Sequence, residues 1–365
     1  MPREFRILAI NPGSTSTKFG IFSDERPLRT WNLRHKDEDL RPFRNRPVFD
    51  QKTFRAEAIE RELAADGFPV GNLSATVGRG GLLPPLESGT YRVDEVMLEE
   101  LRLARRGEHA SNLGAVLAHE IASRACVDAF IVDPVSVNER APKAMLSGSA
   151  LIARGDFCHA LNSKAVARRY AREAGMAYRD LRLIVAHLGG GICISAHENA
   201  RMVEATDAQQ EGPFSPERAG SVPALKLVRL CFSGRYDQRQ VERMLCGEGG
   251  LNAYLGTTDL VEVERRIAAG DEKAALVFEA MAYQISKEIG AMAAVLHGRV
   301  DAILITGGMA HSPALIGRIT EATDWIATVK VYPGEEELLA LAEGALRVLR
   351  GEETAKELSQ SMSQA

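Results

Sequence analysis

Apolar residues in this chain follow two periods. Short apolar runs predict strands at 5–10, 19–22, 129–132 and 302–306. Residues 113–125 and 274–296 instead carry their apolar positions at helical spacing. A further helix is predicted from about Pro313, and a last one over 335–349, where Leu338, Ala342, Ala345, Leu346 and Leu349 share a face. Strand and helix patterns alternate from end to end, which predicts an α/β protein. Past Gly351 the sequence turns polar, and residues 356–365 read as a disordered tail.

Two stretches echo each other. FRILAI-NPGSTSTK-FGIF, from Phe5, is an apolar strand, a Gly/Ser/Thr turn and a second apolar strand. LIVAH-LGGG-ICISAH, from Leu183, has the same plan. The pair suggests a duplicated domain with one glycine-rich turn per half; chance is the competing reading, since glycine hairpins are common.

The turns carry chemistry that suits phosphate. Asn11-Pro12-Gly13-Ser14-Thr15-Ser16-Thr17-Lys18 offers backbone amides, four hydroxyls, an amide side chain and an ammonium group. It is neither a Walker A loop nor a Rossmann fingerprint, because GxxxxGK[ST] is absent and no GxGxxG opens a helix. His187-Leu188-Gly189-Gly190-Gly191 holds three consecutive glycines, each costing roughly 0.5–1 kcal/mol relative to alanine inside regular structure. Such a run is useful where a ligand approaches the backbone closely. Thr306-Gly307-Gly308-Met309 follows a predicted strand and suits either a flat purine or tight packing.

Bulk properties narrow the class. The 365 residues are enough for two domains of the usual ~100–200 residues. A composition 45% hydrophobic and 26% charged allows a sizeable core. The formal net charge of -4 gives no electrostatic reason to expect nucleic acid or an anionic membrane as partner. The apolar run 7–10 is too short for a signal-peptide core, and nothing approaches the ~20 apolar residues that cross a bilayer. Five scattered cysteines without CxxC spacing read as reduced thiols in a cytoplasmic protein, with no zinc or disulfide role.

Nine segments in order carry a resemblance: INPGSTSTK (10–18), VGRGG (77–81), HASNLG (109–114), FIVDPV (130–135), HALNSKAVARRYA (159–171), IVAHLGGGI (184–192), EGPFSPERAG (211–220), ILITGG (303–308) and VYPGEEELLALAEGALRVL (331–349). Together they resemble the acetokinase family, of the acetate and sugar kinase/Hsp70/actin superfamily, and within it the butyrate kinases most. The resemblance implies two duplicated ribonuclease H-like (actin-like ATPase) domains with an ATP cleft between them. The first would take residues 1–137 plus 335–355, closed by the C-terminal helix. The second, 138–334, would carry most of the nucleotide site. It also implies reversible transfer of phosphate from ATP to butanoate with Mg²⁺, a short-chain carboxylate and its acyl phosphate as partners, and a homo-oligomer.

The chemistry sets what the site must supply. A short carboxylic acid, with a pKa near 4.3, is an anion at pH 7 and needs no general base. It must approach an anionic phosphoryl group, so catalysis rests on positioning and placed positive charge. By resemblance Arg218 and His187 meet the transferring group, while Asp133 and Asn11 serve Mg²⁺ with help from Glu337, Glu335 being the other candidate. Arg79 clasps the substrate carboxylate, and His109 and His159 assist there. Gly13, Ser14, Thr15, Ser16, Thr17 and Lys18 would hold phosphates together with Gly189, Gly190 and Gly191, while Gly307, Gly308 and Met309 would meet adenosine. Residues 136–157 depart from the butyrate kinase pattern, with Asn138 where an acid is expected, which leaves branched or longer acids as the alternative substrates. An actin- or Hsp70-like nucleotide-gated binding protein is the alternative from another class.

Overall fold

The computed structural model describes residues 4–44 and 46–362 and divides into two compact units. The first takes the chain up to Asn138 and again from Glu336; the second is Glu139–Glu335. Each is built on one sheet.

In the first unit the strands are β1 (Arg6–Pro12), β2 (Ser16–Ser23), β3 (Arg26–Arg34), β4 (Ala75–Arg79), β5 (Thr90–Arg92) and β6 (Asp128–Val132). Their order in the sheet is β3-β2-β1-β4-β6-β5. β1 pairs antiparallel with β2, then parallel with β4, which is parallel to β6. Parallel neighbours need a crossover, and helices covering both faces leave such strands apolar throughout. β1 and β4 accordingly read RILAINP and ATVGR with few exposed positions, whereas the edge strand β3 is polar and mostly exposed.

In the second unit β7 (Leu183–Leu188), β8 (Ile192–Glu198), β9 (Arg201–Ala205), β10 (Ala302–Gly307) and β11 (Val329–Pro333) are ordered β11-β10-β7-β8-β9. β7 is antiparallel to β8 and parallel to β10, which is parallel to β11. Strand for strand this repeats β6-β4-β1-β2-β3, so the two echoed hairpins begin duplicated sheets. Every residue of β7 and β10 is buried. The helix Glu272–Val295 lines the core beneath them with Phe278, Met281, Ile285, Ile289 and Met292.

The last long helix runs Glu337–Leu349 and packs on β1, β4 and β6 of the first unit. Its buried face is Ala340, Leu341, Ala342, Gly344, Ala345 and Leu346, with Leu338 and Leu349 only half-buried. The face is wider than the predicted stripe because small residues let the backbone sit close: a Cβ on Gly344 would lie 2.3 Å from Val132 Cγ2. Full burial of Leu341 and Leu346 contributes about 1.5–3 kcal/mol each as an upper estimate.

The polar end of the chain differs from the disordered tail expected over 356–365. The Arg92 amide donates to the Lys356 carbonyl at 2.8 Å, Leu358 is buried, and Leu358–Met362 is a short helix against Glu95–Leu103. One apolar anchor and strand-like pairing suffice to fasten a segment whose composition reads as solvated; residues 363–365 lie outside the described residues. Among the described residues no helix is long and apolar enough to cross a membrane.

The helix Asn112–Ala125 touches β4 backbone to backbone. A Cβ on Gly78 would lie 2.0 Å from the Gly114 carbonyl oxygen, and one on Gly114 2.1 Å from that of Arg79. We expect Gly114→Ala to lift the helix and destabilise the protein by about 1–3 kcal/mol, read as a lower denaturation midpoint. An unchanged midpoint would contradict the contact.

Candidate active site

The β1–β2 turn is built from behind. Gly13 N donates to Ser16 O at 2.8 Å, closing the turn. Arg55, from the helix Lys52–Ala65, donates through Nη1 to Gly13 O (2.8 Å), Ser16 O (3.1 Å) and Thr17 Oγ1 (3.1 Å), and through Nη2 to Ser14 O (3.0 Å). His35 Nε2 meets the same Thr17 hydroxyl at 2.8 Å. Ser14, Thr15 and Lys18 are exposed. Thr17 is buried, so its hydroxyl faces inward, not to a phosphate as expected. The cause is the strand period: within β2, position 17 shares the inner face with Phe19.

The first unit brings together a second group from residues far apart in the chain. Asn11 Nδ2 donates to Glu337 Oε2, and Arg79 Nη1 pairs with Glu337 Oε1 at 2.5 Å. Asn11 stands near the end of β1, Arg79 at the end of β4, and Glu337 at the start of the C-terminal helix. Asp133 follows β6 with φ +38°, a left-handed conformation that costs a non-glycine residue about 1–3 kcal/mol. Its Oδ1 accepts from Gly89 N at 2.8 Å, and its side chain is buried. His109 sits on an exposed turn, its Nδ1 held by Ser111.

In the second unit His187, Gly189–Gly191 and Arg218 converge. Arg218 Nη1 donates to Ala208 O at 2.8 Å and lies so close over the turn that a Cβ on Gly191 would be 2.1 Å from it. Its buried Nε has no partner among the described residues. Ser215 Oγ donates to Gly190 O at 2.5 Å and accepts from Arg218 N at 3.1 Å. His187 Nε2 lies 3.2 Å from Glu335 Oε1, and its ring stacks on His159 at 3.9 Å and 12°. Its buried Nδ1 has no partner among the described residues. Glu335 and Glu337, alternatives in sequence, therefore belong to different units and hold different partners.

Gly307 has φ +95° and passes close to the end of β7: a Cβ there would be 2.3 Å from Leu188 O. That contact brings Gly308 and Met309 beside Gly189 and Gly190, and all four line a groove of about 380 Å³. Asp259, Glu264 and Ser312 supply its polar wall. The volume suits a small organic ligand.

The oxygen donors fit magnesium. Mg²⁺ takes one or two carboxylates and completes its shell with phosphate oxygens and water. Asp133 is a buried carboxylate held by a backbone amide, and Asn11, having given its Nδ2 to Glu337, keeps Oδ1 to offer. No cluster of three or more His, Cys, Asp or Glu able to hold a metal forms among the described residues. Sequence reasoning missed Arg55, His35 and Ser215. Arg55 lies in FRAEAIERELA, where arginine reads as the solvated face of an amphipathic helix.

Comparison with known proteins bears on the same elements. The acetokinase family model matches residues 149–331. Acetate kinase of Porphyromonas gingivalis superposes with TM-score 0.77 at 18% identity, covering 94% of this chain and 100% of that one. A propionate kinase of Francisella tularensis gives 0.73 at 16%, covering 93% and 98%. Acetate kinase of Entamoeba histolytica gives 0.74 at 14%, covering 94% and 99%. The architecture is thus the two-domain actin-like ATPase fold.

The His35 lock on Thr17 makes a pH prediction. Burial, then the Arg55 charge, lowers the folded His35 pKa from 6.5 to about 4. As pH falls the unfolded chain protonates first, so this contribution to stability is whole above about 6.5 and lost between 6.5 and 4. His35→Gln is expected to flatten that part of the stability profile, measured as urea midpoints from pH 7 to 4. A slope equal to wild type would exclude the buried neutral imidazole.

Proposed function

The chain belongs to the acetokinase family of carboxylate kinases, and on that premise we propose that it transfers the γ-phosphoryl group of ATP directly to butanoate, giving butanoyl phosphate and ADP. The observation that carries the nucleotide half is the groove of the second unit, where Gly189–Gly190 meets Gly308–Met309 with Arg218 and His187 at the glycine turn. Adenosine would lie against Gly308 and Met309, with the phosphates over Gly189–Gly191.

Each residue answers one demand of the reaction. Arg218, with an uncommitted Nε donor, stabilises charge gathering on the transferring oxygens. His187 donates to the same oxygens while Glu335 and the His159 ring fix its plane. In the first unit Arg79 uses the donors Glu337 leaves free to clasp the substrate carboxylate, with His109 assisting. The exposed Ser14 and Thr15 of the turn and Lys18 attract phosphate. When bound, Mg²⁺ would neutralise phosphate charge, held by Asp133 and Asn11. Glu337, with both oxygens engaged, serves that ion by fixing Asn11. The nucleophile is already ionised, so no residue need remove a proton.

A second copy of the chain is the proposed partner. The helix Ala224–Cys231 buries none of its eight residues, yet Leu225, Val228 and the adjoining Phe232 are apolar and exposed. A helix shorter than ~12–15 residues is marginal in water without packing. Beside its start, Val222 and Pro223 border a groove of about 510 Å³ also lined by Tyr254, Leu276 and Ala280. A projecting apolar helix and an apolar groove on one face can be exchanged reciprocally about a twofold axis. Phe232→Glu is expected to halve the mass seen by sedimentation; a wild-type monomer would refute the assignment.

The catalytic reading is tested by trapping acyl phosphate as the hydroxamate, across straight and branched acids of two to six carbons. We expect a maximum at butanoate, a loss of about 10²–10³-fold in kcat for Arg218→Ala, and a higher Mg²⁺ requirement for Asp133→Asn. A maximum at branched or longer acids would keep the chemistry and reassign the substrate. ATP binding without acyl phosphate from any acid would overturn the kinase reading in favour of a nucleotide-gated binding protein.

A further inference from the structure

Among the described residues Arg55 is the largest fully buried side chain, 1% exposed, and no carboxylate lies within ion-pair distance of it. Leaving a cation in the interior without a counter-charge is costly, so such a group needs either dense hydrogen bonding or an ion supplied from elsewhere. Hydrogen bonding is present. Besides the four bonds to the β1–β2 turn, Nε and Nη2 donate to Gln51 Oε1 at 3.0 and 2.8 Å. The acceptors are all neutral: three backbone carbonyls, a hydroxyl and an amide oxygen. Burial lowers the Arg55 pKa to about 10, which leaves it cationic at neutral pH.

The carbonyls it binds determine where the turn's amides point. In a trans peptide the N–H lies opposite the C=O. With Gly13 O and Ser14 O directed at the guanidinium, the N–H groups of Ser14 and Thr15 are turned away from it, towards solvent. Both residues are exposed, and neither amide has a partner among the described residues. Successive outward amides form an anion-binding concavity.

We propose that Arg55 is a positioning residue for the polyphosphate: it presents the Ser14 and Thr15 amides to the anion, and its uncompensated charge takes the bound polyphosphate as counter-ion. The inference rests on the kinase reading but does not depend on which acid is phosphorylated. His35 completes the lock by holding Thr17, so that Arg55 spends its donors on carbonyls and not on a mobile hydroxyl alone.

The test separates phosphate binding from folding and from catalysis. Inorganic tripolyphosphate, ATP and adenosine are titrated by calorimetry into wild type, Arg55→Lys and Arg55→Met. Losing a charge-assisted set of bonds is expected to weaken tripolyphosphate and ATP about 10–100-fold in Arg55→Met, with adenosine affinity unchanged. Arg55→Lys should fall between, because a point charge restores the field but not the fork that aligns the carbonyls. Tripolyphosphate affinity equal to wild type, or an equal loss for adenosine, would overturn the proposal. Should Arg55→Met not fold, Gln51→Leu and Thr17→Val each remove one anchor of the guanidinium; they should weaken tripolyphosphate and spare adenosine, and no change in either would overturn it too. A wild-type protein that binds no tripolyphosphate would overturn the proposal as well, whereas one that binds neither tripolyphosphate nor ATP would refute the kinase reading itself.

Discussion

A peptide group cannot turn its carbonyl inward without turning its amide outward, and both glycine-bearing hairpins of this protein exploit that constraint. In the first unit the carbonyls of Gly13 and Ser14 are drawn in by Arg55; in the second, that of Gly190 is drawn in by Ser215. The rest of each unit serves to keep the donor in place. Helix Lys52–Ala65 buries Ala56, Ile59 and Leu63 beside Arg55, and the segment from Phe214 to Arg218 is tied to Leu251 and Ala208. Cores far larger than the turns thereby fix the direction of a few N–H bonds.

Duplication preserved the sheet and changed the chemistry hung on it. Both sheets place an antiparallel hairpin beside two parallel strands in the same order. On one copy the turn is backed by a buried cation, and Asn11, two residues before Gly13, joins the Arg79–Glu337 pair. On the other it is backed by a hydroxyl, carries three glycines, and opens onto a groove next to Gly308. The division suits the proposed reaction, which needs a nucleotide held by backbone contacts and an anion held by charge.

Much of this was legible in the sequence because it rests on local pattern. The apolar runs around β1, β7 and β10 and the glycine turns announce themselves, and His187 and Arg218 stand in segments whose order is informative. What stayed hidden was long-range pairing. Glu337 meets Arg79 and Asn11 across the length of the chain, and nothing in Gly-Glu-Glu-Glu says which acid turns to which unit. Arg55 was hidden for a different reason: hydrophobic periodicity assigns charged residues to solvent, and a buried guanidinium bonded to carbonyls breaks that rule. Thr17 misled because hydroxyls in a turn look equivalent until the strand period sorts them. The folded end of the chain at Lys356–Leu358 escaped notice because composition weighs averages, and one buried leucine was enough.

The central claim is that the carboxylate itself attacks phosphorus, and oxygen labelling tests it most directly. Butanoate carrying ¹⁸O in both carboxylate oxygens is turned over with ATP, the product is cleaved at carbon by hydroxylamine, and the released phosphate is read by ³¹P NMR. Direct transfer predicts one ¹⁸O in every phosphate, because the bridging oxygen of the acyl phosphate comes from the acid. Phosphate without label would mean that water, not the carboxylate, received the phosphoryl group, and label found in AMP would mean attack at the α-phosphorus; either result contradicts the account.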